Sequence, residues 1–391
     1  MNNETLKKEN IKNVLSGHFF ISVSTALTSF FLAYFLKMQG LTILQIGFLF
    51  SIGLAFGGLI ISLVYSKIVK KIKLKNGLTI SAIIKSFQNL FLFIIPTSFG
   101  VLASKISTEI GSKMQSVSED VTMQHNVPHG KHRKIVSYSL ITDSFGQVFG
   151  ILLSIFLIIY IGFNYSFLAF FLISLIPIFF YLKVNDKSRF RLKKKIKLPK
   201  LSNNLKLFIF SEIIYWLALG ASFSLVVTFL VTDRLSSSFA WIGYLFIALY
   251  ASITITTLLS HRFLDKKDLT KTSIIGMFIL FISSLIILIS TNILVILGAF
   301  VLEGIGAGIW VPSKQAIVWR LTQKENREKV SGYIFGFRGF VSAVGPLIGG
   351  LLVTSFGILA PFYFKGGLSL LVIGIYSYIL IKTSNKTNKL F

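Results

Sequence analysis

The chain has no cysteine, which excludes disulfides and thiolate-held metal sites. Acidic residues are scarce, 14 against 40 Lys and Arg, for a formal net charge of +26. No glycine-rich loop precedes a Lys-Ser or Lys-Thr pair, so nothing here cradles a nucleotide phosphate and ATP-driven work is not expected. No Ser/His/Asp set and no paired His/Glu spacing supports an embedded hydrolase, so an enzyme is not expected either. Polar sequence of any kind is in short supply. Charged residues make up 14% and hydrophobic residues 53%, with a mean hydropathy of +0.76, which places the chain in the membrane class.

What fills the chain is apolar sequence in twelve stretches, at about 14–36, 43–66, 78–95, 98–122, 135–160, 166–184, 207–230, 239–260, 272–290, 292–317, 330–354 and 362–382. Each is close to the length that crosses a ~30 Å hydrocarbon core. No soluble domain buries that much hydrophobic helix, so the bilayer is the solvent and the expected fold is all-α, with twelve transmembrane helices. The polar opening MNNETLKKENIKN leads into a long first span with no small-residue cleavage site, which reads as a retained helix.

The basic residues are unevenly shared. Most of them fall in the N-terminus, in every second loop and in the C-terminal tail, whereas the opposite loops hold only Lys37 and Arg234. That asymmetry predicts a cell membrane protein with both termini in the cytoplasm. Anionic lipid headgroups are a sufficient partner for the basic loops. The basic run from Lys183 to Lys206 lacks base-stacking aromatics beyond Phe190, so nucleic acid is not an expected partner. A monomer is expected.

The longest basic loop lies near the midpoint, and the sequence slid against itself by about 195 residues brings related features together. Gln45-Ile46-Gly47-Phe48-Leu49-Phe50 meets Trp241-Ile242-Gly243-Tyr244-Leu245-Phe246. Glu109 falls on Glu303, and Arg133, Val136 and Ser137 fall on Arg327, Val330 and Ser331. The expected organisation is an N-terminal six-helix half (1–184), a cytoplasmic basic loop (185–206) and a C-terminal six-helix half (207–391). Parallel repeats of this kind place a substrate site near the midplane between the halves and alternate access by rocking.

Span ten carries Gly304-Ile305-Gly306-Ala307-Gly308 and Pro312, Arg327 follows a short polar loop, and span eleven carries Gly345-Pro346-Leu347-Ile348-Gly349-Gly350. In these features the whole chain resembles the major facilitator superfamily of secondary transporters, above all its bacterial drug and metabolite exporters. The family's loop 2–3 pattern, G-x-x-x-D-R-x-G-R-K, meets the stretch from Ser62 to Lys71, where basic residues survive but both glycines and the aspartate are replaced. The proton-linked exporters' span-five motif, G-x-x-x-G-P-x-x-G-G, is partly present. Gly146 and Gly150 match it, and Ile151 and Ser154 replace a proline and a glycine. Small residues of this kind supply close helix packing in lipid.

The resemblance implies that spans one, four, seven and ten face a central cavity, and these spans hold the chain's unusual charges. An ionised side chain at the bilayer centre costs ~2.5–3.5 kcal/mol on insertion scales, so it needs a partner or water. Lys105, Glu109 and Lys113 recur every four residues on one face of span four. Lys105 matches the family's span-four arginine. They form either a row contacting proton and substrate or a stabilising intrahelical ladder. Glu303 lies near mid-membrane in span ten, where burial disfavours a lone carboxylate anion and suits coupling by protonation. Its expected mate is Arg338 of span eleven, since Lys314 lies about two to three turns along the same helix. Asp143 and Arg338 lie at equivalent depths of the two halves and are expected to partner Lys113 or Glu303, with a role as substrate ligands the alternative. Lys85 is expected to reach Asp143 or Glu109. His18 and Glu212 match under the repeat offset and form either a gate pair or two snorkelling groups. Tyr215, Trp216 and Trp310 are candidate aromatic lining, with ordinary packing as the alternative. His125, His129 and His132 have metal-like spacing, but the neighbouring Lys131, Arg133 and Lys134 disfavour a cation, so no metal site is expected.

The expected function is therefore alternating-access transport of a small organic molecule, by proton-coupled export through Glu109 and Glu303. A proton gradient would drive it, with no other cofactor. An uncoupled facilitator or importer of an anionic or zwitterionic metabolite, and a lipid flippase of the same fold, are the alternatives.

Overall fold

The computed structural model describes residues 3–68, 73–126, 132–185, 203–263, 269–322 and 327–387. The expected basic loop is almost entirely outside the described residues, as is His129; the side chains of His125 and His132 are outside them too. The chain divides into two compact units, Met1–Lys195 and Ile196–Phe391.

The first unit begins with α1 (Asn3–Ala26), which runs through a π-helical turn (Leu27–Phe31) into α2 (Leu32–Met38). It continues with α3 (Ile43–Ile68), α4 (Leu74–Ile94), α5 (Ser98–Asn126) and α6 (His132–Leu182). The second unit comprises α7 (Asn203–Ser222), α8 (Ser224–Phe229) with a π-helical turn (Leu230–Arg234), α9 (Ala240–Phe263), α10 (Leu269–Ile289), α11 (Ile293–Leu321), α12 (Arg327–Phe356) and α13 (Ala360–Thr387). The all-α membrane expectation holds. Among the described residues nine helical stretches are long and apolar enough to cross a membrane, and Ile43–Gly58 is a shorter apolar helix. The charged helix α5 does not qualify by composition, because Lys105, Glu109 and Lys113 interrupt its apolar run.

The fifth and sixth spans, expected as separate helices, are the two arms of α6, on either side of a break in its helical backbone. The chain breaks at Gly162, whose φ of 74° suits a residue without Cβ. Gly146 lies beside Phe19, while Phe180 stacks on Phe20 with ring centroids 5.7 Å apart. The chain therefore doubles back between them, and the 46-residue stretch Ser137–Leu182 packs both of its arms on α1.

Each unit repeats one packing scheme. In the first, α3 packs on α5, α4 on α5 and α6, and α1 on α6. In the second, α9 packs on α11, α10 on α11 and α13, and α7 on α12 and α13. Glycine permits the tightest contacts. A Cβ at Gly146 would come within 2.7 Å of the Phe19 carbonyl oxygen, and one at Gly345 within 2.7 Å of the Gly220 Cα. In lipid, where apolar contact alone gains little, such close approach holds α6 to α1 and α12 to α7.

Candidate functional site

In the first half, three polar side chains from three helices converge on one carboxylate. Glu119 of α5 accepts hydrogen bonds from the Tyr181 hydroxyl of α6 (2.6 Å) and from Gln115 Nε2 one turn back (2.7 Å), and pairs with His18 Nδ1 of α1 (2.9 Å). The other ring nitrogen of His18 lies 3.7 Å from Asp143 Oδ1 of α6, which also accepts from Ser22 Oγ (2.5 Å). Lys85 of α4 donates to Gln115 Oε1 (2.9 Å). Several donors thus share the negative charge of Glu119, the arrangement that makes a buried carboxylate tolerable.

Farther along α5, Lys113 Nζ lies 3.5 Å from Glu109 Oε1 in an i, i+4 pair. The ammonium of Lys105 sits 4.1 Å above the Phe50 ring of α3, a cation–π contact. Glu109 is buried, with its Cβ against Gly57 of α3. A polar relay runs beside this row: Thr108 donates to Gln88 Oε1 (2.6 Å), and Gln88 donates to Thr28 (2.5 Å).

Among the described residues, the second half holds two buried acid–lysine pairs, both between helices. Glu212 of α7 pairs with Lys314 of α11. The Lys314 ammonium lies 4.1 Å from the Trp310 ring centroid and 5.1 Å from that of Trp216. Tyr215 packs edge-on against Trp310 at 4.7 Å, and the Trp310 indole donates to the Tyr376 hydroxyl of α13 (3.1 Å). Glu303 of α11 pairs with Lys365 of α13 and accepts from Ser283 of α10 (3.4 Å).

The two networks occupy matching sequence positions. Gln115, Glu119 and Tyr181 reappear 195 residues on as Trp310, Lys314 and Tyr376, and His18 reappears 194 residues on as Glu212. The same helix pair is bridged in both halves, with the charges exchanged. In the first half the base is on the first helix and the acid on the fourth; in the second half the acid comes first.

The sequence pattern of the Major Facilitator Superfamily matches residues 14–269 and 214–390. The chain belongs to the Major Facilitator Superfamily. Multidrug resistance protein 2 of Bacillus subtilis (strain 168) is 28% identical over 169 residues, 43% of this chain and 41% of that protein, so the match spans about two fifths of that relative. In fold, the chain is similar to the human organic anion transporter MFSD10 (TETRAN), with a TM-score of 0.73 at 14% identity over 95% of this chain and 99% of the other. A bacterial homologue of the iron transporter ferroportin, in its inward-facing state, gives 0.73 at 16% identity over 95% and 98%. The facilitator-superfamily chain is thus a multi-pass membrane protein of a transporter family.

Within this facilitator, the expected residues lie on the expected helices, but several partners differ. His18 and Glu212, read as either a gate pair or two snorkelling groups, each have an ion-pair partner inside their own half, Glu119 and Lys314. Asp143 lies by His18 and Ser22, not by Lys113. Lys85 hydrogen-bonds Gln115, and the charges of Glu119 and Asp143 act on it from farther off. The mate of Glu303 is Lys365 of α13. Arg338 lies on α12, and its side chain is outside the described residues.

The equivalence of Glu109 with Glu303 is also corrected by one residue. Glu109 packs on Gly57, and Gly304 packs on Ser252, which lies 195 residues beyond Gly57. Likewise the Gln88–Thr108 hydrogen bond is mirrored by Ser283–Glu303. Glu303 therefore stands where Thr108 does. A one-residue slip turns a helical side chain by about 100°, enough to exchange one neighbouring helix for another.

Proposed function

We propose that this transporter exports a small organic molecule across the cell membrane in exchange for protons, with both termini in the cytoplasm. The observation that carries the coupling is that Glu212 and Glu303, both buried, each hold a lysine from another helix of the same half. A proton taken up by such a carboxylate abolishes its charge and releases the lysine, so protonation loosens one helix from another. Glu303, with Glu109 in the other half, is the assigned coupling group. Lys105, Lys113, Asp143 and Arg338 complete the set that meets proton or substrate, and the resemblance of His18 and Glu212 to a gate becomes two latches, one per half. Export is supported by the likeness to a multidrug resistance protein. Cytoplasmic termini are supported by the basic loops.

The test is proton movement in proteoliposomes on addition of organic anions, amines and sugars, comparing the wild type with Glu109→Gln and Glu303→Gln. Proton flux with one solute class, lost in either variant, is the expected result. Solute flux indifferent to pH and to both substitutions would replace this reading with an uncoupled facilitator. One observation favours that second reading: Glu109 and Glu303 already have lysine partners, which suits purely structural pairs.

A further inference from the structure

We propose that Glu212, Trp216 and Trp310 form a binding site for an organic ammonium ion, and that Lys314 is its built-in occupant. A carboxylate and two indole faces are the groups that recognise an ammonium ligand: one supplies the opposite charge, and the others supply π density at short range. Here they surround an ammonium that belongs to the chain itself. Lys314 Nζ pairs with Glu212 and lies 4.1 Å and 5.1 Å from the two indole centroids. Lys314, Glu212 and Trp310 are buried, and Trp216 is half-buried.

The comparison between halves isolates what is special about this place. The Trp310 position is Gln115 in the first half, and the Trp216 position, at the offset that relates His18 to Glu212, is Ser22. Gln115 and Ser22 donate hydrogen bonds to the carboxylates Glu119 and Asp143. Where one half puts donors around acids, the other puts indoles around a base. An ion pair alone does not require two indoles. Indole faces add stabilisation to a cation held away from water.

A lysine suits the role of exchangeable occupant. Its ammonium is a compact charge on a flexible four-carbon stem, and a buried lysine gives up its proton more readily than an arginine. The exchange balances: the Lys314 N–H bond breaks, its proton leaves to water, and the neutral amine withdraws from Glu212. The organic cation then takes the vacated place, so the site holds one positive charge beside Glu212 before and after. Among the described residues, the titratable or charged groups about the cage include Tyr376 on α13, Tyr215 on α7 and the Glu303–Lys365 pair between α11 and α13. The side chain of Arg338 on α12 lies outside the described residues. The inference names a substrate class for the export reading and rests on that reading for its physiological role.

The experiment uses the purified full chain and benzyltrimethylammonium, with its neutral carbon isostere as control. The wild type should bind the ammonium but not the isostere, release about one proton per cation bound, and gain about tenfold in affinity per pH unit. Glu212→Gln should abolish binding. Lys314→Ala should be less heat-stable, and butylammonium but not butanol should restore its stability, because the amine refills the cage. Cation binding to the wild type with no proton release, or equal binding by Glu212→Gln, would overturn the inference; so would a failure of butylammonium to rescue Lys314→Ala. The two proposals fail separately. Cation binding with proton release but no gradient-driven flux sinks the export reading alone, and proton-coupled flux of another solute class with no cation binding sinks only this one.

Discussion

Two halves of this chain fold alike around opposite charges. In the N-terminal half, an acid on the fourth span, Glu119, is shared among His18, Gln115 and Tyr181. In the C-terminal half, a base at the same position, Lys314, has one acid and two indoles about it. The difference teaches that the repeat preserves position and helix contact more strictly than it preserves charge. It also teaches that the two halves are unequally exposed to loss of a partner. Glu119 keeps other donors if His18 is removed, whereas Glu212 and Glu303 each rely on a lysine for charge balance.

The largest expected effect breaks the comparison at its most buried pair. Lys365→Met leaves Glu303 uncompensated and should cost about 3–5 kcal/mol; Lys365→Met combined with Glu303→Leu should recover most of it. Thermal unfolding in detergent checks both. Next, Lys314→Met should cost about as much as Lys365→Met, while His18→Ala should cost only about 1–3 kcal/mol, the scale of one lost hydrogen bond at a buried charge. Equal losses in the two halves would remove the asymmetry. The smallest effect, a difference between two tyrosine variants, sharpens it. Tyr181→Phe deprives a carboxylate of a donor and should cost about 1.5–3 kcal/mol, whereas Tyr376→Phe removes an acceptor from the neutral Trp310 indole and should cost about 1 kcal/mol.

Much of the architecture was legible in the sequence because it follows from length and hydropathy. Long apolar runs in a chain with few charges admit little besides a membrane helix bundle, and the near-195-residue offset exposed the repeat. Gly146 and Gly150 announced the close packing on α1. The charged residues within spans were legible as a set, because each one stands out against apolar sequence. Their partners were not. Pairing depends on which way a side chain points around its helix, and an offset wrong by one residue matched Glu109 to Glu303 when the packing matches it to Gly304. Lys365 escaped because it lies five residues into α13, where a lone lysine resembles an interfacial charge. Tyr181 and Tyr376 escaped because two tyrosines among 13 signal nothing until their hydroxyls are seen at matching places. Glu119 escaped because a charge near the end of a span resembles an interfacial one, although the 195-residue offset that relates it to Lys314 also relates Gln115 to Trp310.

The measurement that tests the charge exchange most directly is a double-mutant cycle on Glu212→Lys and Lys314→Glu, read by thermal unfolding of the full chain. If the two positions are the second half's version of His18 and Glu119, each single variant is strongly destabilised by two like charges. The double variant, with the base now on the first helix as in the other half, then recovers more than half of the summed loss. A double variant as unstable as the sum of its singles would contradict the account, because the helix pair would then accept only one polarity.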